Sequence, residues 1–404
     1  MNLRPPRLTV LLAAAIVSAI LIGCSSAPPA SAARGMEISI QDDSVFVGNG
    51  LHQSFNRERA YRLIRPLGVS RLRINVSWAN VLFLSQRQSR TRPAVITYDF
   101  GLIDNAIDAA ARHGVRVYLT LTGQAPAFAT ANHRVGNYRP NAGLYADFVA
   151  HAARHFRGRV KRYSIWNEPN WHTWLSPLRA APRLYRSLYF RGYQAIKAQD
   201  PHAQVLFGET VPYGQSRGRA LAPLTFLRRV LCLNRRYHRR GHCPRLKADG
   251  YAHHPYDFLH PARFRYPGRN NVTMATLRRL TRALDRASRA GALRRRGGRH
   301  MPLYLTEYGY FGSGPRTLPK RRRVRYLKQG WSLALRNRRV KQNLQYLLVG
   351  PRPGGVGDFF DLGLLSPKGR RRPTYNALRR WYRSHRHKVR RPPHRISLPP
   401  APPN

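Results

Sequence analysis

The chain has 404 residues, room for one large domain or two small ones, and 42% of them are hydrophobic, which excludes a disordered polypeptide. Lysine and arginine number 72 against 17 acidic residues, a formal charge of +55 that raises nucleic acid as a partner. The cations are spread along the whole chain, and their short runs (residues 235–236, 294–296, 320–323 and 370–372) fall on predicted loops or polar helix faces, so specific nucleic-acid binding is not expected.

In chain order, residues 1–24 read as an export signal. Arg4 and Arg7 give a basic start, and residues 8–22 form an apolar run that is short for a membrane span of about 20 residues. Leu21-Ile22-Gly23-Cys24 resembles the bacterial lipobox, in which the cysteine is lipidated and becomes the new N-terminus. The alternative is an ordinary secretory signal or a single anchor helix. Residues 25–40, opening on Ser, Ala and Pro, are expected to form a flexible tether. An exported or surface-anchored domain meets anionic lipid headgroups or acidic wall polymers, the partners to which a basic surface is suited.

From residue 41 to residue 385, short β-rich runs alternate with longer amphipathic ones, which predicts a parallel α/β architecture. Strands are expected at residues 44–47, 71–76, 115–121, 160–165, 204–207, 250–253, 302–306 and 343–349. Helices are expected at 99–113, 144–156, 182–199, 221–233, 274–290, 325–336 and 374–385. Eight strand–helix units suggest a single-domain (β/α)8 TIM barrel, in which functional groups collect at the C-terminal ends of the strands. An open doubly wound sheet is the rival, weakened because no glycine-rich phosphate loop follows the first strand. Residues 386–404, rich in Pro and Arg, are expected to be disordered.

Glutamate is scarce, with five in the chain, so its placement is informative. Trp166-Asn167-Glu168-Pro169-Asn170 follows the fourth predicted strand, and Trp171 and Trp174 come just after it. Glu307 closes the seventh. In a closed barrel of eight these strand ends face one another across the mouth, and two facing carboxylates are what glycosidic bond cleavage needs. The tryptophans offer flat faces for sugar rings, or else belong to the core. Arg73 lies inside an apolar strand, where an unpaired charge would be costly, so a buried partner is expected. Glu209, at the end of the fifth strand, is a third mouth acid or a structural partner. Apart from Cys24, the cysteines are Cys232 and Cys243, an even remainder that suggests a disulfide in an oxidising compartment. His238 and His242 lie between them, but the spacing matches no standard zinc pattern.

These motifs resemble those of glycoside hydrolase clan A, with the closest likeness to its family 39 and family 5 branches. The resemblance covers roughly residues 45–378. It rests on Asn167-Glu168-Pro169, on Gly68-Val69-Ser70-Arg71-Leu72-Arg73 with Trp78, on Thr97-Tyr98-Asp99-Phe100, on Gln124-Ala125-Pro126-Ala127-Phe128-Ala129, on His254-Pro255-Tyr256 and on Thr306-Glu307-Tyr308-Gly309. It implies a retaining β-glycosidase with Glu168 as general acid/base and Glu307 as nucleophile. It further implies that Asn167 binds the sugar 2-hydroxyl, Arg73 holds the nucleophile ionised, Tyr256 donates to the same carboxylate and His254 lines the site. An oligo- or polysaccharide is then the substrate, and neither a metal nor an organic cofactor is required. Two departures bear on the substrate. The eighth strand lacks the clan's tryptophan, leaving Tyr346 or another element to floor the first subsite, and Phe128 stands where a tryptophan is common. The rival from another class is a carbohydrate-binding lipoprotein on a barrel that has lost turnover.

Overall fold

The computed structural model describes residues 35–48, 56–215, 218–352, 354 and 358–402. The export signal with Cys24, and the tether up to residue 34, lie outside the described residues. No helix among the described residues is long and apolar enough to cross a membrane.

Eight parallel strands close on themselves, each pairing with the next and the last with the first. They are β1 (Glu37–Gln41), β2 (Arg71–Ser77), β3 (Arg116–Thr122), β4 (Arg162–Ile165), β5 (Gln204–Thr210), β6 (Gly250–His253), β7 (Leu303–Leu305) and β8 (Val340–Tyr346). The helices that follow them are α1 (Arg57–Ile64), α2 (Gly101–Arg112), α3 (Ala142–His155), α4 (Ala181–Gln199), α5 (Pro223–Val230), α6 (Leu277–Arg289), α7 (Lys320–Arg336) and α8 (Pro373–His385). The expected (β/α)8 barrel is therefore the fold. A pair of short strands outside the barrel, Leu246–Ala248 and Leu293–Arg295, was not foreseen from the sequence.

Alternation along each strand sorts the side chains. Ile38, Ile40, Leu72, Ile74, Val117, Leu119, Tyr163, Ile165, Val205 and Phe207 belong to the large apolar layer between strands and helices. The intervening residues fill the barrel, and many are polar. A small apolar group, Tyr118, Leu206, Ala252 and Tyr304, forms the middle of that interior. At the N-terminal end, Arg71 grips Glu37 through Nε (3.0 Å) and Nη2 (2.8 Å), and Arg162 Nη1 reaches Glu37 Oε2 at 2.5 Å and Gln342 Oε1 at 2.7 Å. The charges of Glu37, Arg71 and Arg162 are tolerable at this depth because each is partnered.

Three expectations are corrected. The first strand is not residues 44–47 but Glu37–Gln41, which begins inside the stretch assigned to the tether. Residues Asp43–Phe46 form a helical turn instead, because the Asp42 side chain accepts from the backbone of Val45 and caps it. Capping overrides the strand propensity of Val45, Phe46 and Val47. Residues 386–402, expected to be disordered, lie along the barrel. Arg390 N donates to Met36 O (2.9 Å), Ile396 N donates to Ala111 O (2.9 Å), and Val389 is buried. Arg390 also adds its guanidinium to Glu37 at 3.1 Å.

Candidate active site

The C-terminal ends of the strands surround a cavity of about 820 Å³. It is lined from the ends of β1, β2, β4, β5, β6, β7 and β8 and the loops that leave them.

Arg73, on β2, points into the barrel and is fully buried. Its Nη1 donates to Glu307 Oε1 at 2.5 Å and Gln41 Oε1 at 2.6 Å. Nη2 donates to Asn167 Oδ1 at 2.8 Å and Glu209 Oε2 at 3.2 Å, and Nε to Thr120 Oγ1 at 2.9 Å. Burial alone would disfavour the charge, but Glu209 and Glu307 outweigh that cost and hold it protonated. The expectation of a buried partner for Arg73 is met by two carboxylates.

The loop after β4 turns sharply. Trp166 (φ 65°) and Glu168 (φ 40°) both take the left-handed conformation that side chains ordinarily avoid. The turn sends the Trp166 ring down into the core, where its Nε1 donates to Trp174 O at 2.6 Å, and brings Asn167 and Glu168 onto the cavity floor. Trp166 is thus a packing residue. Trp171 and Trp174 are half-buried and line the cavity wall.

His254 follows β6 and touches three carboxylates. Nδ1 lies 2.8 Å from Glu168 Oε1 and 3.6 Å from Glu307 Oε2, and Nε2 lies 2.8 Å from Glu209 Oε2. Tyr256 donates to Glu307 Oε2 at 3.0 Å. One oxygen of Glu168, one of Glu307 and a ring nitrogen of His254 all lie within 4.8 Å of one another. A cation could bridge such a spacing, but both nitrogens of His254 already face carboxylates and Arg73 stands on Glu307. Charge in the cluster is therefore balanced by protein groups.

The environments of these groups differ. Burial raises the Glu168 pKa above the ordinary carboxylate range; the His254 contact opposes this and the Glu307 charge adds to it. Burial alone would lower His254, but Glu307, Glu168 and Glu209 push it up to about 9. Burial would raise Glu209, yet Arg73 and His254 bring it down to about 2. Neighbouring His253 is buried without an acid partner and falls to about 3. At neutral pH the cluster then holds Arg73 and His254 as cations.

The sequence-predicted site residues Glu168, Glu307, Asn167, Arg73, His254, Tyr256, Trp171 and Trp174 come together in this one cavity or directly beneath it. Cys232 and Cys243 are joined as a disulfide, away from it. Tyr346, at the end of β8, lines the cavity where the missing tryptophan was noted, and Phe360 packs against it with ring centroids 5.8 Å apart. Phe128 does not line the cavity but packs edge-on against Trp78 in the core. Sequence reasoning missed Gln41, Tyr118, Thr120, Ser164 and Thr306, the polar residues beneath the floor. For Tyr118, Thr120 and Ser164 the signal was available: each sits in the inward register of a strand buried on both faces, where a polar group needs a partner.

No protein-family profile and no curated protein sequence matches the chain. Solved structures do. A family 39 glycoside hydrolase from Bacteroides cellulosilyticus WH2 superposes with a TM-score of 0.59 at 18% identity, over 86% of this chain and 63% of that one. A family 5 subfamily 18 enzyme from Streptomyces cattleya, in complex with GlcNAc, gives 0.58 at 18% identity, over 90% and 83%. A monomeric β-xylosidase from Caulobacter crescentus gives 0.52 at 19% identity, over 86% and 69%. At such identities the likeness is one of fold, and this chain spans less than two thirds of the length of the first of these relatives.

Proposed function

We propose that the protein is a retaining glycoside hydrolase of the clan A type, acting on β-linked glycosides by double displacement. One observation carries the reading. Two glutamates, from the ends of β4 and β7, approach within 4.8 Å in environments that differ in charge. Retaining pairs are spaced about 5–5.5 Å apart, too close for a water to stand between them. Glu168, raised by burial, is suited to the part of the proton donor. Glu307 faces the Arg73 guanidinium and the Tyr256 hydroxyl, which suits a group that must attack as an anion.

In the proposed cycle, Glu307 attacks the anomeric carbon while Glu168 gives its proton to the departing oxygen. Water then displaces Glu307 from the sugar, with Glu168 taking the proton of that water. Asn167 accepts from Arg73 through Oδ1, which leaves its amide nitrogen for a sugar hydroxyl at the cavity floor. Trp171, Trp174 and Tyr346 supply faces for sugar rings. Similar folds include a β-xylosidase and an exo-β-1,4-mannosidase, which makes aryl β-xylosides and β-mannosides the first substrates to try. The proposal extends to export and lipid anchoring through Cys24, expected to show as fatty-acid labelling lost in Cys24→Ala.

The test is a panel of aryl β-glycosides assayed with the parent, Glu168→Gln and Glu307→Gln, with the first-formed product anomer read by NMR. The parent should give the β-anomer, and each variant should lose roughly 10²–10⁴-fold or more in kcat. An inverted product, or turnover surviving in Glu307→Gln, would sink the mechanism. Saccharide binding without turnover on any substrate would favour a barrel that only binds.

A further inference from the structure

Glu209 is unexplained by the two-glutamate cycle, yet its surroundings are densely built. Its side chain is fully buried and takes hydrogen bonds from five residues on different parts of the barrel. Tyr118 Oη of β3 and Ser164 Oγ of β4 (2.5 Å) donate to Oε1. Thr306 Oγ1 after β7 (2.6 Å), Arg73 Nη2 of β2 (3.2 Å) and His254 Nε2 after β6 (2.8 Å) reach Oε2.

The backbone is bent to place it there. β5 pairs with β6 in regular register through Gly208 opposite Ala252, then skips Glu209 and resumes at Thr210 opposite His253. Glu209 is the extra residue of a bulge, at φ 50°. Gly208 before it has φ 120°, and a Cβ there would lie 2.5 Å from Ala252 O. A bulge re-aims a side chain, and this one turns a carboxylate onto the barrel axis. A structural ion pair for Arg73 would not need it, because Glu307 and Gln41 already serve that guanidinium.

The contact that distinguishes Glu209 is with His254. The imidazole stands between two acids, with Nε2 on Glu209 and Nδ1 on Glu168. We propose that Glu209 is a positioning residue that fixes the orientation and proton placement of His254, so that Nδ1–H is always presented to Glu168 Oε1. Resting on the glycosidase reading, this gives His254 a task. When Glu168 releases its proton to the leaving oxygen, a buried carboxylate appears, and the imidazolium beside it is already in place to stabilise it. Oε2 of Glu168 is then the oxygen that carries the proton. No atom of Glu209 meets the substrate.

The charges that bear on this relay are Arg73 of β2, Glu168 of the β4 loop, Glu307 after β7 and Glu209 itself. Tyr118, Tyr251, His253 and Tyr256 also flank it, and all four are neutral at physiological pH. Removing the Glu209 charge therefore lowers the proton affinity of the His254–Glu168 pair as a unit.

Two readouts test this in the full chain. Imidazole NMR of His254 across pH 5–10 should show its deprotonation moved to lower pH by one unit or more in Glu209→Gln, a tenfold or greater loss of proton affinity. In kinetics, the alkaline limb of kcat/KM should move the same way. The loss should be at least tenfold larger for a poor leaving group such as phenol than for dinitrophenol, which needs little protonation. If Glu209→Gln does not fold, Glu209→Asp keeps the charge but withdraws it, and a smaller shift in the same direction is expected. A His254 that titrates at the same pH in a folded variant overturns the positioning role and leaves Glu209 a structural tie. The NMR shift in a parent that turns over no glycoside would uphold the Glu209–His254 coupling while sinking the glycosidase reading.

Discussion

Arg73 shows how much one residue of this chain can be read for. Its charge inside an apolar strand implied a buried partner before any fold was known, since an unpaired guanidinium there would be expensive. Glu209 gave no comparable signal. It ends a strand run, as surface glutamates also do, and its inward aim depends on a bulge that no local pattern announces. The Arg73 fork spans Glu307, Asn167 and Glu209 at once. A lysine keeps the charge but cannot span that fan. Arg73→Lys is therefore expected to fold with a lower midpoint and to lose about 10²–10³-fold in kcat/KM, the cost of one misplaced electrostatic group. Steady-state kinetics beside a thermal melt would check this, and unchanged kcat/KM would remove Arg73 from the machinery.

At the scale of elements, the helices were the most legible parts. The apolar spacing in α2 and α4 leaves little choice, and both lie within two residues of their expected bounds. Strand ends were less legible, because the mouth of the barrel is where regular pairing stops. The fifth strand was expected to end at residue 207 but runs to Thr210 through the bulge. That extension carries Glu209. Gly208 is what permits it, so Gly208→Ala should cost roughly 2–4 kcal/mol, combining a forbidden φ with a backbone clash. Urea unfolding would measure it, and a change under 1 kcal/mol would mean that the bulge tolerates a side chain. The tail is the opposite case. Its Pro and Arg content reads as disorder, and contacts with Met36 and Ala111, some 280 to 350 residues away in sequence, hold it.

The whole molecule separates two charged centres by a small apolar layer, and the two ends of the barrel do different work. At the C-terminal end Arg73, His254 and Glu209 serve the mouth. At the other, Glu37 lies between Arg71, Arg162 and Arg390. Burial pushes the Glu37 carboxyl up, but Arg162 and Arg71 hold it well below the ordinary range. Glu37→Gln would leave two buried guanidinium groups facing each other, at a cost of about 3–5 kcal/mol. Because Glu37 does not line the cavity, kcat/KM below the new midpoint should be unchanged. A variant that loses activity while its stability is intact would contradict this division.

The sequence by itself determined the barrel, the two glutamates at its mouth and the arginine beside them. Strand and helix periods are local, and a lone charge in an apolar run is costly wherever the run ends up. Tertiary structure alone decided which partners those charges meet. Whether Glu209 faces solvent or the axis, and which acids share His254, depends on closing eight strands in one register, and closure is a property of the whole sheet.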